Sequence, residues 1–83
     1  MVPDLILVYF PQKRKYPDGY TVPVELKVGN GGHRDKALRQ LRAGMFYSEK
    51  VLHLPCDHAR YVHLDENGDL VSEYLKPKDL ELA

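Results

Sequence analysis

The sequence has a single cysteine, no long apolar segment and no net charge, and each of these absences narrows the functions open to it. Cys56 has no partner for an internal disulfide, which is typical of proteins in the reducing cytoplasm. The apolar run Leu5–Phe10 is far too short to span a membrane, and no signal peptide is visible, so we expect a cytoplasmic protein without membrane association. Twelve basic and twelve acidic residues give a formal charge of zero, which argues against indiscriminate binding of polyanions.

What is present predicts one small globular domain, residues 1–83. The chain is 43% hydrophobic and 29% charged, a balance typical of folded proteins. A chain of this length buries only about 60–65% of its unfolded surface, so its core is small and a homodimer is expected to extend it. Charge is distributed unevenly: residues 1–50 hold nine basic and five acidic side chains, and residues 51–83 hold three and seven. This asymmetry predicts a basic face in the first half of the chain.

The alternating stretch 21–28 predicts a strand with two different faces. Its apolar face, for which we expect the core, holds Val22, Val24, Leu26 and Val28. Pro23, Glu25 and Lys27 share the other face, with the carboxylate and the ammonium roughly 7 Å apart along the strand. Because proline cannot donate to a β-ladder, Pro23 predicts that this strand lies at a sheet edge or is bulged.

A second carboxylate, Asp4, precedes another predicted strand. The unbroken apolar run Leu5–Phe10 predicts a strand buried on both faces. If this strand pairs antiparallel with 21–28, Asp4 lies near Glu25. Two carboxylates beside Lys27 form a site for a hard cation such as Mg²⁺ or Mn²⁺, which prefers oxygen ligands and keeps several waters. The ammonium would orient or activate a water, or hold charge that develops on a phosphate.

These residues resemble the signature of the PD-(D/E)XK, or restriction-endonuclease-like, nuclease superfamily. Pro3-Asp4, followed after twenty residues by Glu25-Leu26-Lys27, is similar to its motif, and the resemblance covers residues 3–64. Small stand-alone VRR-NUC domains and Holliday-junction resolvases are the members it resembles most. The resemblance implies that Asp4, Glu25 and the backbone carbonyl of Leu26 bind Mg²⁺ or Mn²⁺, and that Lys27 acts on the water. The family usually has a helix before its first strand, whereas only Met1 and Val2 precede the motif here.

A helix is predicted after this strand, from His33 or Arg34 to about Tyr47, because apolar residues recur there at spacings of three and four. Gln40 flanks the apolar stripe, and the resemblance implies that it steadies the site, since many members carry a glutamine on this helix. The RecB-type pattern has a tyrosine four residues later, where this sequence has Gly44. Seven basic residues are candidates for contacts with DNA phosphates: Lys13, Arg14, Lys15, Arg34, Lys36, Arg39 and Arg42. The alternative is that they form an ordinary solvated surface.

The remaining segments contain mainly turn signals. Residues 16–20 predict a turn between the first two strands, and residues 29–32 predict a flexible joint before the helix. Asn67-Gly68 predicts a type I′ turn within a hairpin over 60–75. Residues 76–83 are predicted to form a tail or a short helix after Pro77.

Together these patterns predict an α/β, more narrowly α+β, fold. It would be a minimal restriction-endonuclease-like core, with a small mixed sheet, one main helix after the E-x-K strand and a C-terminal hairpin. The resemblance implies a metal-dependent nuclease that hydrolyses DNA, branched DNA among its substrates, with structure selectivity or low sequence specificity. Two alternatives remain open: a catalytically silent nucleic-acid-binding or adaptor protein, and one part of a split nuclease. Small nucleases of this type are typical of phages and mobile elements.

Overall fold

A computed structural model describes residues 3–10, 14–27 and 33–81 of the chain. In sequence order the elements are β1 (Leu5–Tyr9), β2 (Tyr20–Lys27), α1 (Arg34–Lys50), β3 (Ala59–Leu64), β4 (Leu70–Leu75) and α2 (Pro77–Glu81). The strands form one sheet in the order β1-β2-β3-β4, in which β2 and β3 are parallel and the outer pairs antiparallel. The predicted α+β class, with a small mixed sheet, one main helix and a C-terminal hairpin, is therefore confirmed.

The helix α1 begins where the periodicity predicts and runs three residues further than expected, to Lys50. Its buried stripe of Ala37, Leu38, Leu41 and Met45 packs on the sheet. The hydroxyl of Ser48 donates to the carbonyl of Gly44 at 2.9 Å. Val51 caps the C-terminus of the helix, and its N–H donates to the Tyr47 carbonyl. No helix within the three described ranges is long and apolar enough to cross a membrane.

The prediction that the core lies on the valine face of β2 is only partly right, because Val22 is 1% exposed but the helix packs on the other face. The core side chains of the neighbouring strands, Ala59, Tyr61 and Leu75, share their face with Glu25, because Tyr61 pairs with Glu25 and with Glu73 in register. Pro23 and Glu25 are therefore buried beneath the helix, whereas Leu26 on the valine face is exposed.

Gly44 explains this choice of face. A Cβ atom at this position would lie 2.6 Å from Cγ of Pro3 and 3.1 Å from Cβ of Pro23. The missing side chain lets α1 approach the proline side of β2 closely. A tyrosine, which the RecB-type pattern has here, would not fit.

Two further expectations about the strands, the burial of β1 and the edge position of β2, are wrong. The apolar strand β1 is not buried on both faces: it lies at the edge of the sheet, and Leu5, Leu7, Val8 and Tyr9 are exposed. The edge alternative for Pro23 is also wrong, because β2 is an interior strand. The bulge alternative fits: Thr21 bridges to Cys56 and Val24 pairs with Arg60, so the chain opposite Pro23 carries one extra residue and no β3 residue pairs with the proline.

The turn between β1 and β2 forms as predicted. Gly19 N–H donates to the Tyr16 carbonyl at 3.1 Å, and Gly19 has a φ of 106°, a conformation that favours glycine. A Cβ on Gly19 would also lie only 2.8 Å from the carbonyl oxygen of Tyr9. Residues 11–13 and the predicted joint at 29–32 lie outside the described residues, as does Val28.

The hairpin of β3 and β4 is confirmed, but its turn is not type I′. That turn requires positive φ at both central residues, and here Gly68 has a φ of 81° whereas Asn67 does not. The Asp65 carboxylate instead accepts the main-chain N–H groups of Asn67 and Asp69, both at 2.9 Å, and stabilises a longer loop. The predicted terminal helix forms as α2, whose Leu80 is fully buried.

Candidate functional site

The antiparallel pairing of β1 with β2 brings Asp4 and Glu25 together, as the sequence predicted. The main-chain N–H of Asp4 donates to Oε1 of Glu25 at 2.8 Å. In return Oδ2 of Asp4 accepts the main-chain N–H of Leu26, also at 2.8 Å. The backbone ladder between the strands starts at Leu5 and Val24, so these two side-chain bonds extend the pairing by one further step.

The carboxylate of Glu25 is fully buried, with 0% of its side chain exposed. Lys27 Nζ lies 3.0 Å from Oε2 of Glu25, and 23% of the lysine side chain remains exposed. This distance makes an ion pair, and none of the described residues donates a hydrogen bond to Oε2. The structure thus holds a buried charge beside one cation and leaves acceptor capacity on that oxygen.

Gln40 lies one helical turn before Gly44, on the same side of α1. Its side chain is half-buried, and its Oε1 atom is buried without a hydrogen-bond partner among the described residues. No hydrogen bond therefore links this oxygen to Lys27. An unsatisfied buried amide oxygen is uncommon, and within the described ranges no donor satisfies it.

The residues at this site fit a magnesium-like cation in number and type. Mg²⁺ usually binds one or two protein carboxylates and completes its shell with water and substrate oxygens. Asp4 is exposed to solvent, whereas Oε2 of Glu25 is buried and lies 3.0 Å from Lys27 Nζ, so a cation would reach this oxygen only if the lysine moved aside. In residues 3–10, 14–27 and 33–81, no cluster of three or more His, Cys, Asp or Glu side chains could hold a metal. A cation here would depend on two carboxylates, the main chain at Leu26 and water.

Two neighbours of the site were missed by the sequence analysis. Across the parallel β2–β3 pair, Tyr61 lies opposite Glu25 and His63 lies opposite Lys27, on the same face of the sheet. The rings of Tyr61 and His63 stack with centroids 4.6 Å apart. Only the alternation in Tyr61-Val62-His63 indicated a shared face, because the parallel partner of β2 cannot be derived from local patterns.

The basic residues predicted to contact DNA fall into several groups. Lys13 lies outside the described residues, and the exposed ones are Arg14, Lys15, Arg34, Lys36 and Arg39. Arg34 is held at the start of α1 by Glu73 of β4, with Nε 3.3 Å from Oε2. Arg42 is half-buried and its guanidinium lies 5.3 Å from the ring centroid of Phe46. Arg34 therefore already has an acidic partner, although its side chain is exposed.

The aromatic residues of the β1–β2 loop pack among themselves. Tyr16 lies 5.0 Å from Tyr20, ring centre to ring centre, and its hydroxyl donates to Oδ1 of Asp57 at 2.9 Å. Burial and the bond to Asp57 raise the pKa of Tyr16. Lys15 lies over the same ring, with Nζ 5.3 Å from its centre. These contacts give Tyr16 a structural role and make it a poor stacking platform for bases.

Comparison of the chain with protein-family models, with curated proteins and with solved structures finds no match. Any assignment of function therefore depends on the residues and geometry of the site.

Proposed function

We propose that the protein is a Mg²⁺- or Mn²⁺-dependent nuclease of the PD-(D/E)XK type that hydrolyses phosphodiester bonds of DNA. The observation that carries this proposal is the arrangement of Asp4, Glu25 and Lys27. A fully buried carboxylate bonds to the main chain of a second acid and forms an ion pair of 3.0 Å with a partly exposed lysine. The three residues follow one another in the chain in the order of the motif that they resemble.

Each residue has a defined part in this reaction. Asp4 and Glu25 would hold the cation, together with the Leu26 carbonyl, and the burial of Glu25 fixes one of these ligands in place. When bound, the cation supplies Lewis-acid stabilisation of the charge on the scissile phosphate. Lys27 keeps its ammonium 3.0 Å from the buried carboxylate, and because its side chain is partly exposed it would orient the attacking water and offset the phosphate charge. Gln40 presents its open amide oxygen from the helix and would steady the water shell.

The proposed substrate is DNA recognised by its backbone and shape. Exposed basic side chains on α1 and in the β1–β2 loop provide phosphate contacts. Low sequence specificity or selectivity for branched structures follows, since both depend on geometry and not on base edges. Lys13, Arg14, Lys15, Lys36, Arg39 and Arg42 are the contacts proposed, with Arg34 positioned by Glu73.

A second candidate is a nuclease-like nucleic-acid-binding or adaptor protein without turnover. It is favoured by one observation: each acid already accepts a main-chain N–H, and Lys27 already pairs with Glu25. In this case the three side chains would only fasten the end of β1 to β2. One part of a split nuclease is the related alternative, and it would show activity only with another polypeptide.

The test compares cleavage of supercoiled plasmid and of a four-way junction in Mg²⁺, Mn²⁺ and EDTA. The variants are Glu25→Gln and Asp4→Asn, which remove a charge but keep an oxygen that accepts the same main-chain N–H. Glu49→Gln, an exposed glutamate on α1, is the matched control. We expect metal-dependent cutting by the wild type and the control, and at least 100-fold slower cutting by the site variants, as expected when a metal ligand is lost.

The other outcomes decide between the candidates. Preference for the junction over the plasmid would identify a resolvase. Absence of cutting by the wild type with either metal would refute the nuclease and favour the binding protein or the split enzyme. Equal cutting by wild type and Glu25→Gln would place the activity elsewhere or in a contaminant.

A further inference from the structure

The face of the sheet turned away from α1 is apolar and has no helix packed on it within the described residues. By strand alternation and register, this open face is formed by Leu5, Leu7, Tyr9, Tyr20, Val22, Val24, Leu26, Arg60, Val62, Leu64, Leu70, Ser72 and Tyr74. Val22 is buried, with 1% of its surface exposed, so the accessible area of the face comes from the other residues. It is continuous across all four strands, since Leu5, Val24, Arg60 and Tyr74 form one row in register. All the residues of the buried core cluster lie on α1, on α2, in the segment before β3 or on the other face.

Large apolar side chains on the open face are substantially exposed. Leu5, Leu7, Tyr9, Leu26, Leu64, Leu70 and Tyr74 expose between 38% and 68% of their surface. If a fully exposed side chain of this size presents about 200 Å², their exposed parts amount to roughly 650 Å². That area is about a tenth of the total accessible surface of 5648 Å² and exceeds the roughly 300–600 Å² of the largest apolar patch on a typical monomer.

We infer that the open face is the interface of a homodimer. Two such faces packed together would bury about 1,300 Å², which lies within the range of about 1,200–2,000 Å² for specific, stable interfaces. A second copy fits the face because the surface is self-complementary: an apolar sheet face can pack on its own two-fold image, as sheets do in sandwiches.

The charges of the face also favour a second copy over nucleic acid. Arg60 is the one charged residue among the strand residues of the open face, and its guanidinium lies 5.0 Å from the ring centre of Tyr74. One arginine that lies over an aromatic ring cannot provide the row of phosphate contacts that DNA binding requires. The formal charge of zero means that two copies do not repel each other.

Dimerisation through this face would leave both candidate sites accessible. Leu26 points toward the open face, while its neighbours Glu25 and Lys27 point toward the α1 side of the sheet. The inference goes beyond the proposed nuclease function and stands or falls independently of it, because it predicts an assembly state and not an activity.

The experiment measures the molar mass of the wild type and of single leucine-to-lysine variants by sedimentation equilibrium. Leu7→Lys and Leu64→Lys place a charge on the open face at side chains that are 38% and 40% exposed. Leu52→Lys, in the segment after α1 and 37% exposed, is the matched control. We expect a wild-type and control dimer of two 9.6 kDa chains, about 19 kDa. We expect the two open-face variants to dissociate at least about 100-fold more readily, because each interface would bury two unpaired charges.

Three results would overturn the inference. The first is a monomeric wild type at roughly 100 μM, well above the micromolar or tighter dissociation constants of interfaces of this size. The second is a dimer unaffected by both open-face variants, which would place the interface at another surface. The third is equal dissociation of the Leu52→Lys control. Circular dichroism verifies that each variant is folded.

A measurement on the wild-type protein tests the inference even if the variants do not fold. Leucine methyl NMR spectra of the wild type are compared across a dilution series. The methyl resonances of Leu5, Leu7, Leu64 and Leu70 should shift as the dimer dissociates, and those of Leu52 should not. Shifts confined to Leu52, or no shifts in a series that spans the sedimentation transition, would contradict the assignment of the face.

Discussion

The main-chain N–H of Asp4 donates a hydrogen bond of 2.8 Å to Oε1 of Glu25, across the end of the first strand pair. The Asp4 carboxylate accepts the N–H of Leu26 in return, so each acid fixes the backbone beside the other. An amide side chain at either position retains an oxygen that can accept this N–H, while it loses the charge and replaces the second oxygen with an NH2 donor. This property allows the chemical role of the two carboxylates to be tested separately from their structural role.

Metal binding should depend on the charge of Glu25. Without DNA present, Mn²⁺ at 100 times its dissociation constant should stabilise the wild type by about 2.7 kcal/mol, measured as a rise in Tm. Glu25→Gln should lose this rise, because the amide is a much weaker ligand than the carboxylate. Glu49→Gln should retain it. A full rise in Glu25→Gln would show that the metal binds elsewhere.

Removal of the lysine should destabilise the fold through the buried acid. Lys27→Ala leaves the fully buried Glu25 carboxylate without its ion-pair partner and should lower the free energy of unfolding by about 1–3 kcal/mol. Lys50→Ala, the same change at an exposed position of α1, should stay within about 0.5 kcal/mol. Urea denaturation provides both values.

A double-mutant cycle identifies the cause of that loss. In a Glu25→Gln background the carboxylate charge is absent, so Lys27→Ala should then cost much less than in the wild type. Equal costs in the two backgrounds would mean that Lys27 contributes through packing of its aliphatic stem and not through the ion pair.

Gly44→Ala should be destabilising although alanine is the better helix former. Alanine gains up to about 1 kcal/mol in a helix interior, but its Cβ would meet Pro3 Cγ at 2.6 Å and Pro23 Cβ at 3.1 Å. We expect a net loss of about 1–3 kcal/mol from this overpacking, measured by urea denaturation. Pro3→Ala in the same chain removes the nearest atom and should recover part of the loss. A stabilised Gly44→Ala single variant would contradict the close packing of α1 on β2.

The buried thiol should make stability fall at alkaline pH. Burial raises the pKa of Cys56 from 9.0 to about 11, with the charge of Glu49 acting in the same direction. Between these values the unfolded chain releases the thiol proton while the folded protein keeps it, so the free energy of unfolding decreases as pH rises from 9 to 11. The effect is on the order of 2 kcal/mol over the window.

Cys56→Ala should lack the part of the alkaline stability loss that comes from the thiol. The pKa of Tyr16 is also raised, but Tyr16 is present in both proteins, so its effect cancels in the comparison. Urea denaturation at several pH values gives the two slopes. Identical slopes would show that the thiol does not titrate differently on folding. In the folded wild type, the thiol should also react with Ellman's reagent at pH 8 at least about 100-fold more slowly than in the unfolded chain, because the nucleophilic thiolate is depleted.

Local patterns were sufficient to predict the elements and the contact that defines the site. Alternation predicted β2, helical periodicity predicted α1, and the order of the two strands placed Asp4 beside Glu25. The orientation of β2 could not be predicted, because alternation favours the valine face for the core, whereas the helix packs on the face that carries Pro23 and Glu25. The deciding contact is the approach of Gly44 to Pro23, which joins residues far apart in sequence.

The neighbours of the site depended on the same kind of long-range pairing. Tyr61 and His63 reach Glu25 and Lys27 only because β3 pairs parallel with β2 after a crossover through α1. No turn links these strands directly, so no local signal sets their register. Asn67-Gly68 shows a different limit: the dipeptide favours a tight turn, but the Asp65 carboxylate stabilises a longer loop in competition with it.

The strand β2 has an evolutionary consequence. From Val22 to Lys27 the side chains alternate between two surfaces. One surface supports the helix and the candidate site, and the other is the open face. Almost no position in this segment can drift without affecting one of them. In a saturation-mutagenesis library selected for folding and function, β2 should therefore be the least tolerant segment, while divergence accumulates in the hairpin loop 65–69 and at the exposed positions of α1.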